Sequence, residues 1–214
     1  MAANGSGNTL TNNGSITTTG PNAYGMTAAW GQTNTGQVNN SLINTGTVST
    51  SGSSARAASI LGGSGLINNS GTLSTIGAGS TGAYLQGNND QLINSGNINV
   101  SGAGSFAVDS NTVSSSFTAP IQNLVCGQIV GQNGTAIRTL NGNTTITNAG
   151  TISGGGGIAI SMGNGNDSLV LQTGSIINGS ADGGAGTNTV TLQGTGTASN
   201  AFTNFQTLIM QGSA

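Results

Sequence analysis

The sequence predicts an all-β protein, specifically a right-handed, single-stranded parallel β-helix (a solenoid) of about 7–9 coils. Three observations lead to this fold class. A short motif recurs at a constant interval in the middle of the chain, with a period in the range of solenoid repeats. Apolar residues within each copy alternate with polar ones, which is the period of a strand. Gly accounts for 39 of the 214 residues, and Asn, Ser and Thr fill much of the remainder, so helices are disfavoured.

The recurring motif places an aliphatic residue, Asn, Gly and a second aliphatic residue at alternate positions. Its clear copies start at Leu10, Leu42, Ile67, Leu92 and Ile146, and the second, third and fourth are evenly spaced. A blurred copy around Ile121 and Asn123 fills the widest gap. Each copy is followed by Ala and an apolar residue, as at Ala83-Tyr84. Every period therefore carries two or three short strands, whereas leucine-rich repeats would contain more Leu and propeller blades are about twice as long.

The period also predicts which residues stack. Adjacent coils lie ~4.8 Å apart, so a residue that recurs once per period lies above its own counterpart. Interior columns of Ile, Leu and Val follow from this spacing. A structural ladder of amides bonded from coil to coil is also predicted, formed by Asn12, Asn44, Asn69, Asn94 and Asn148. The Gly two residues after each Asn is expected to turn the chain at a positive φ.

We expect a single β-helix domain over residues 1–214, with Asn-x-Gly-x-Ile coils over 1–160 and coils with Gly- and Asp-containing turns over 161–214. The interval from Leu10 to Leu42 is longer than the regular period. A loop excursion is therefore predicted over 20–40, which contains Tyr24 and Trp30, and a second over 110–120. A binding function would concentrate in such loops.

The composition argues against an enzyme. The chain has no His, Lys or Glu, so the base of a nucleophilic triad is missing. Asp109 and Arg138 are separated by close to one coil, and without further carboxylates they are expected to form a solvated surface pair. We therefore assign no catalytic residue and no cofactor.

Composition also limits the partners. A net charge of −2 with two arginines offers no basic surface for nucleic acid. No apolar run approaches the ~20 residues of a membrane-spanning helix. An export signal is not recognisable at the start and is expected elsewhere in the parent protein. Cys126 is the single cysteine, and its neighbours Leu124 and Val125 favour a buried thiol.

The last third of the chain departs from the Asn-x-Gly pattern. A Gly-rich turn at 163–167 precedes a strand, a second at 182–188 precedes another, and Phe202-x-x-Phe205-x-x-Leu208 follows. This order resembles the C-terminal part of the passenger domain of bacterial autotransporters (type V secretion), and the upstream coils look like that family's adhesin-type passengers. The resemblance implies a passenger fragment without its outer-membrane translocator barrel, located on the bacterial surface or secreted, with a role in virulence. The chain lacks the family's Trp-containing capping segment after Leu208.

The two Gly-rich turns also resemble the calcium-binding nonapeptides of RTX β-rolls. Asp167, Asp182 and Asn188 are therefore candidate calcium ligands. The equivalent positions Asp167 and Asn188 are, however, separated by more than two nonapeptide lengths, whereas RTX repeats follow one another directly. Calcium usually requires six to eight oxygens and several carboxylates. We therefore expect a structural turn with Asn188 stacked on Asp167, and keep calcium as the alternative.

The expected function is that of an extracellular, non-enzymatic adhesin or self-association rod in cell adhesion, aggregation or biofilm formation. Its Thr, Asn and Ser ladders would bind another copy, a host or abiotic surface, or a glycan receptor. A passive stalk presenting another domain is the first alternative. An ice- or polysaccharide-binding solenoid is the second, suggested by Thr17-Thr18-Thr19 and Thr144-Thr145 although no regular Thr-x-Thr column is evident. Sugar stacking would need exposed aromatic residues, for which Tyr24, Trp30 and Tyr84 are the candidates.

Overall fold

The computed structural model describes residues 1–29, 36–112, 118–194 and 200–212. Within these residues the chain contains no helix, and its strands stack in parallel as a β-solenoid of about seven turns. The predicted all-β solenoid is therefore confirmed. Trp30 and the centres of the two predicted excursions, 30–35 and 113–117, lie outside the described residues.

The strands are short, as the frequent Gly and Asn residues require. In the first half they are β1 (Ala2–Ala3), β2 (Thr9–Asn12), β3 (Ser15–Thr18), β4 (Tyr24–Ala28), β5 (Ser41–Asn44), β6 (Thr47–Thr50), β7 (Arg56–Ile60), β8 (Leu66–Asn69), β9 (Thr72–Thr75), β10 (Thr81–Leu85), β11 (Gln91–Asn94), β12 (Asn97–Val100) and β13 (Phe106–Ser110). In the second half they are β14 (Thr118–Asn123), β15 (Gln128–Gly131), β16 (Ile137–Thr139), β17 (Asn143–Asn148), β18 (Thr151–Ser161), β19 (Ser168–Leu171), β20 (Ile176–Asp182), β21 (Thr189–Gln193), β22 (Phe202–Thr203) and β23 (Thr207–Gln211).

Three successive strands make one turn and give the solenoid three faces. Face 1 is the sheet β2-β5-β8-β11-β14-β17-β19-β21-β23. Face 2 contains β3, β6, β9, β12, β15 and the first halves of β18 and β20. Face 3 contains β1, β4, β7, β10, β13, β16, the second halves of β18 and β20, and β22. The long strands β18 and β20 thus continue from face 2 to face 3, and their pairing shifts register between Ser153 and Ile160, where they pass from one face to the other.

The core consists of vertical columns of aliphatic side chains. On face 1 the register places Leu42 beside Ile67 and Ile67 beside Leu92, and each of the three side chains is buried. A second column on face 2 aligns Val48 with Leu73. Burying one such side chain is worth about 1.5–3 kcal/mol, so these columns stabilise the stack along its whole length.

A third column, at the end of the face 2 strands, is polar although it points inward. Thr18, Thr50 and Thr75 lie one above another, and the next coil has Val100 in the same place. The three hydroxyl oxygens are buried and have no hydrogen-bond partner among the described residues. Because an unpaired buried hydroxyl costs about 1–3 kcal/mol, this column destabilises the rod.

The coils become shorter towards the C-terminal end. Stacked backbone and side-chain partners are 25 residues apart at Gly65 and Asp90, 23 apart at Thr144 and Asp167, and 18 apart at Asn188 and Gln206.

The two predicted loop excursions are partly strand. Tyr24–Ala28 and Thr118–Asn123 are strands that pair with neighbouring coils, so the excursions are narrower than 20–40 and 110–120.

The Gly of the repeated motif is required for a reason other than the predicted one. Gly46, Gly71 and Gly96 are not among the residues with a positive φ. Instead, a Cβ at Gly71 would lie 2.0 Å from the carbonyl oxygen of Gly46, and a Cβ at Gly96 would lie 2.1 Å from that of Gly71. The expected positive φ is therefore wrong: these glycines allow consecutive coils to approach closely at this corner.

Candidate functional site

On the side of face 3 that points away from the aliphatic core, two rows of polar and aromatic side chains run from coil to coil, and most members of the second row are buried. One row aligns Tyr24, Arg56, Thr81 and Phe106 from coil to coil. The second row aligns Ser59, Tyr84, Asp109 and Arg138. The six large or charged members form what we call the arginine–aromatic patch, namely Tyr24, Arg56, Tyr84, Phe106, Asp109 and Arg138. Both cationic side chains of the chain therefore lie on one face.

Arg56 is held between two tyrosines. Its guanidinium carbon lies 3.4 Å from the centroid of the Tyr84 ring and 5.6 Å from that of the Tyr24 ring. No carboxylate of the described residues lies within 4.0 Å of this guanidinium. The guanidinium also shares a side-chain hydrogen bond with the Tyr84 hydroxyl, and its remaining N–H groups at the edge of the plane are its means of binding a partner.

Arg138 has a different environment because Asp109 neutralises it. Arg138 Nε donates to Asp109 Oδ1 at 3.0 Å, and Arg138 Nη2 donates to Asp109 Oδ2 at 2.7 Å. The guanidinium carbon also lies 3.8 Å from the centroid of the Phe106 ring. The sequence correctly placed the pair one coil apart, but the expectation of a solvated pair is wrong, since the Asp109 side chain is only 7% exposed.

Tyr84 contacts Arg56 through its ring and lies beside Asp109, the partner of Arg138, in the strand register. It is 8% exposed, so the sequence-based suggestion of an exposed aromatic at this position is wrong. Burial raises the pKa of the Tyr84 hydroxyl, the charge of Arg56 lowers it, and the charge of Asp109 raises it. The hydroxyl therefore lies within electrostatic reach of both charged groups, and the patch is one continuous cluster.

The patch was missed as a unit, although the sequence contains its signal. Tyr24, Arg56 and Phe106 each lie the same number of residues after the first aliphatic residue of the motif copy that precedes them. Tyr84, Asp109 and Arg138 share a second, slightly longer separation from their own motif copies, if the blurred copy at Ile121 is included. Constant offsets in a stacked repeat mean vertical alignment. Arg56 and Phe106 could therefore have been predicted as neighbours of the aromatic candidates from these two offsets.

The asparagine ladder runs along the end of the face 1 strands. Each Nδ2 donates to the Oδ1 of the next member at 2.8 Å from Asn12 to Asn44, 2.8 Å from Asn44 to Asn69 and 2.8 Å from Asn69 to Asn94. Asn123, from the blurred copy, enters between Asn94 and Asn148 with two bonds of 2.9 Å. The structure thus brings the five predicted residues together and adds a sixth.

Each amide of the ladder also bonds to the backbone. Asn69 Nδ2 contacts the carbonyl oxygens of Gly71 and Asn97, both at 3.3 Å. These bonds give a donor to backbone carbonyl oxygens at the corner where the chain passes from face 1 to face 2. The ladder stops after Asn148, because Leu171 occupies the same position in the next coil. Its geometry is that of a structural element of the core.

A second polar column precedes the face 1 strands, and it contains two of the calcium candidates. Gly65 N donates to Asp90 Oδ1 at 2.7 Å, Thr144 N to Asp167 Oδ1 at 2.6 Å, and Asp167 N to Asn188 Oδ1 at 2.8 Å. Each side chain thus accepts a backbone N–H of the preceding coil. Asp167 and Asn188 are adjacent in this column.

Burial changes the acidity of the two aspartates in this column. It raises the pKa of Asp90 to about 8 and that of Asp167 to about 6, while the N–H bonds from Gly65 and Thr144 act in the opposite direction. In both, Oδ2 has no hydrogen-bond partner among the described residues. Asn40 occupies the same column, and its Nδ2 donates a hydrogen bond to Gly5 O at 3.0 Å. A protonated aspartate resembles this asparagine because it too has one oxygen that accepts a hydrogen bond and one group that can donate.

Asp182, the third calcium candidate, lies on face 3 beside Ser161. Its Oδ1 accepts hydrogen bonds from Gly184 N at 2.9 Å and from Asn204 Nδ2 at 2.7 Å. Asn188 Nδ2 donates to the carbonyl oxygens of the same two residues. Among the described residues no three His, Cys, Asp or Glu side chains are grouped as metal ligands.

The outer surface of face 2 is the most regular polar surface. Each coil presents two outward side chains, and most pairs are hydroxyls or amides: Ser15 and Thr17, Thr47 and Ser49, Thr72 and Ser74, Asn97 and Asn99, Thr151 and Ser153. Val130 and Ile176 interrupt the two rows. Hydrogen-bonding groups therefore recur at the coil spacing of ~4.8 Å.

Cys126 does not have the predicted environment. The thiol is exposed, and Leu124 and Val125 before it are 40% and 69% exposed. The residue has a φ of 69° in the turn between β14 and β15. The prediction of a buried thiol is therefore wrong, because these three residues belong to the bend and not to a strand.

Comparisons with protein-family models, curated proteins and solved structures found no match to this chain. In the part of the chain that the structure describes, no helix is long and apolar enough to cross a bilayer.

Proposed function

We propose that this chain is a non-enzymatic, extracellular adhesive rod, a segment of an autotransporter-type passenger that acts in cell adhesion, aggregation or biofilm formation. Face 2 is the proposed contact surface. The observation that carries the proposal is the double row of hydroxyl and amide groups, which recurs in most coils from Ser15 to Ser153. A repeated polar surface can bond to the same surface of a neighbouring rod at every coil.

The physical reason for the proposal is multivalency. One exposed hydroxyl or amide contact contributes little, about 0.5–1.5 kcal/mol. Several contacts at one constant spacing add their contributions once the first pair of coils is aligned. A weak interaction per coil thus becomes adhesion between rods or between cells that display many rods.

The same surface supports an alternative, an ice- or polysaccharide-binding face. Its support is that Thr47 and Ser49 repeat as Thr72 and Ser74 in the next coil, a Thr-x-Ser pair in two adjacent coils, although a regular Thr-x-Thr column is lacking. A passive stalk is the remaining alternative, in which no face of this segment binds anything.

Beads coated with the chain test the proposal, with clumping as the readout. Three lysines on face 2 (Thr47→Lys, Asn97→Lys and Gln128→Lys, all at exposed positions) should abolish clumping through like-charge repulsion. The matched control carries three lysines at exposed positions of face 1 (Thr9→Lys, Gln91→Lys and Gln122→Lys) and should still clump.

The other outcomes separate the alternatives. Wild-type beads that stay dispersed favour the passive stalk. Thermal hysteresis of the soluble chain, lost with the face 2 lysines, points to ice binding. Equal loss of clumping in both triple variants would overturn the assignment to face 2.

A further inference from the structure

We propose that the arginine–aromatic patch is a binding site for an acidic saccharide, with the Arg56 guanidinium as the group that binds the sugar carboxylate. This inference gives the proposed adhesive function a ligand of stated chemistry. The inference shares with the proposed function only the assumption that this segment contacts a ligand. The proposed saccharide site lies on face 3, whereas the proposed adhesive surface lies on face 2.

The first argument is charge. Of the two cations on face 3, Arg138 is neutralised by two hydrogen bonds from its guanidinium to Asp109. Arg56 has no carboxylate within 4.0 Å among the described residues. The patch therefore carries one uncompensated positive charge, on a chain whose net charge is −2. An anionic ligand would supply the carboxylate partner that the described residues do not provide.

The second argument is geometry. Contact with the Tyr84 ring at 3.4 Å restrains the Arg56 guanidinium before any ligand arrives. This restraint reduces the entropy lost on binding, and a guanidinium suits a planar carboxylate that can accept two parallel N–H bonds. Tyr24, in the preceding coil, is partly exposed and has its ring centroid 5.6 Å from the Arg56 guanidinium carbon, so the arginine has aromatic neighbours in two coils.

The third argument favours a saccharide over an acidic peptide. Extended peptides commonly bind by adding a strand to an exposed sheet edge. The Arg56 strand β7 is paired on both sides, with β4 and with β10, so face 3 offers no free edge there. Only side chains are presented to a ligand, and an arginine between aromatic rings suits a charged sugar.

The test is binding of the whole chain to immobilised polygalacturonate at physiological salt, measured by biolayer interferometry. Dextran, dextran sulfate and polyglutamate serve as neutral, sulfated and peptidic comparisons. We expect binding to polygalacturonate above the other three. Arg56→Gln should lose roughly tenfold to hundredfold in affinity, the usual loss for a hydrogen bond to a charged group.

Two further variants keep the test decisive. Arg56→Lys retains the charge but not the planar fork, so it should lose most of the affinity. Gln132→Ala, an exposed change between faces, should bind as the wild type does. Thermal unfolding of every variant confirms that the rod is folded, and bead clumping reports the face 2 proposal separately.

Several results would overturn the inference. One is a wild-type chain that is not retained on polygalacturonate, and another is an Arg56→Gln variant that binds as tightly as the wild type. Equal binding to dextran sulfate that survives in Arg56→Lys would show a nonspecific charge effect. Equal binding to polyglutamate would show that the ligand class is not a saccharide.

Discussion

The close approach of coils at the motif glycines leads to a prediction with a matched control inside the same repeat. Gly71→Ala places a Cβ 2.0 Å from the carbonyl oxygen of Gly46. Gly14→Ala makes the same change at the same place in the first coil, where a Cβ meets nothing within 4 Å. The two substitutions therefore differ only in the coil beneath.

The expected loss of stability follows from how far the two coils must separate to admit the added Cβ. A contact of 2.0 Å with backbone requires the two coils to separate locally, and overpacking of this kind costs about 1–3 kcal/mol. Gly46 O also accepts the hydrogen bond from Thr72 N at 2.8 Å, and lengthening that bond adds about 0.5–1.5 kcal/mol. Gly71→Ala should thus destabilise the rod by about 2–4 kcal/mol, or ~5–15 °C in Tm. Gly14→Ala should be neutral or stabilise by up to about 1 kcal/mol.

Thermal and urea unfolding followed by far-ultraviolet circular dichroism measure both variants. Gly96→Ala is a replicate, since its Cβ would lie 2.1 Å from the Gly71 carbonyl oxygen. Equal destabilisation by Gly14→Ala and Gly71→Ala would show that Gly is required for its backbone conformation and not for the close stacking of coils.

Four further predictions concern single residues, three of them as substitutions and one as a chemical modification. Asn69→Leu removes the 2.8 Å bonds to Asn44 and Asn94 and should cost about 2–5 kcal/mol in urea unfolding; an unchanged midpoint would contradict the ladder. Thr75→Val removes a buried hydroxyl without a described partner and should stabilise by about 1–3 kcal/mol, as Val100 in the next coil suggests. Asp90 has a folded pKa of about 8 against an ordinary 3.8, so its protonated form stabilises the fold below about pH 4, and this stability is lost as the pH rises to about 8. Asp90→Asn should therefore raise Tm at pH 8 but not at pH 4, and a larger gain at pH 4 would contradict the sign. Cys126 should react with one equivalent of a thiol reagent in the native protein, and protection until unfolding would contradict its exposure.

The vertical register could be predicted from the sequence because a regular period translates directly into stacking. Leu42, Ile67 and Leu92 are evenly spaced along the chain and lie in one column. At Asn123 the sequence period is irregular, so the stacking there is harder to predict from spacing alone. Its copy of the motif has two extra residues before Gly127, yet Asn94 and Asn148 bond to it as to any other member.

The features that the sequence did not predict depend on side-chain packing between coils. Nothing local indicates that Arg56 lies on Tyr84, because the two are three strand positions and one coil apart. The requirement for Gly71 comes from the Gly46 carbonyl, which is distant in sequence. Cys126 was predicted to be buried from its apolar neighbours, but those neighbours belong to a bend with a left-handed residue.

Equivalent positions of successive coils lie one above another at a constant spacing, and pulsed electron spin resonance can measure this spacing along the rod. Spin labels would be attached to cysteines in a Cys126→Ser background, with one label fixed at Asn178 and the other at Thr17, Ser49 or Ser74. All four residues belong to one outward row of face 2, six, five and four coil steps apart respectively. We expect backbone separations of ~29, ~24 and ~19 Å, which decrease by one coil spacing per step. Distances that do not fall in equal steps, or that are the same for the three pairs, would contradict it.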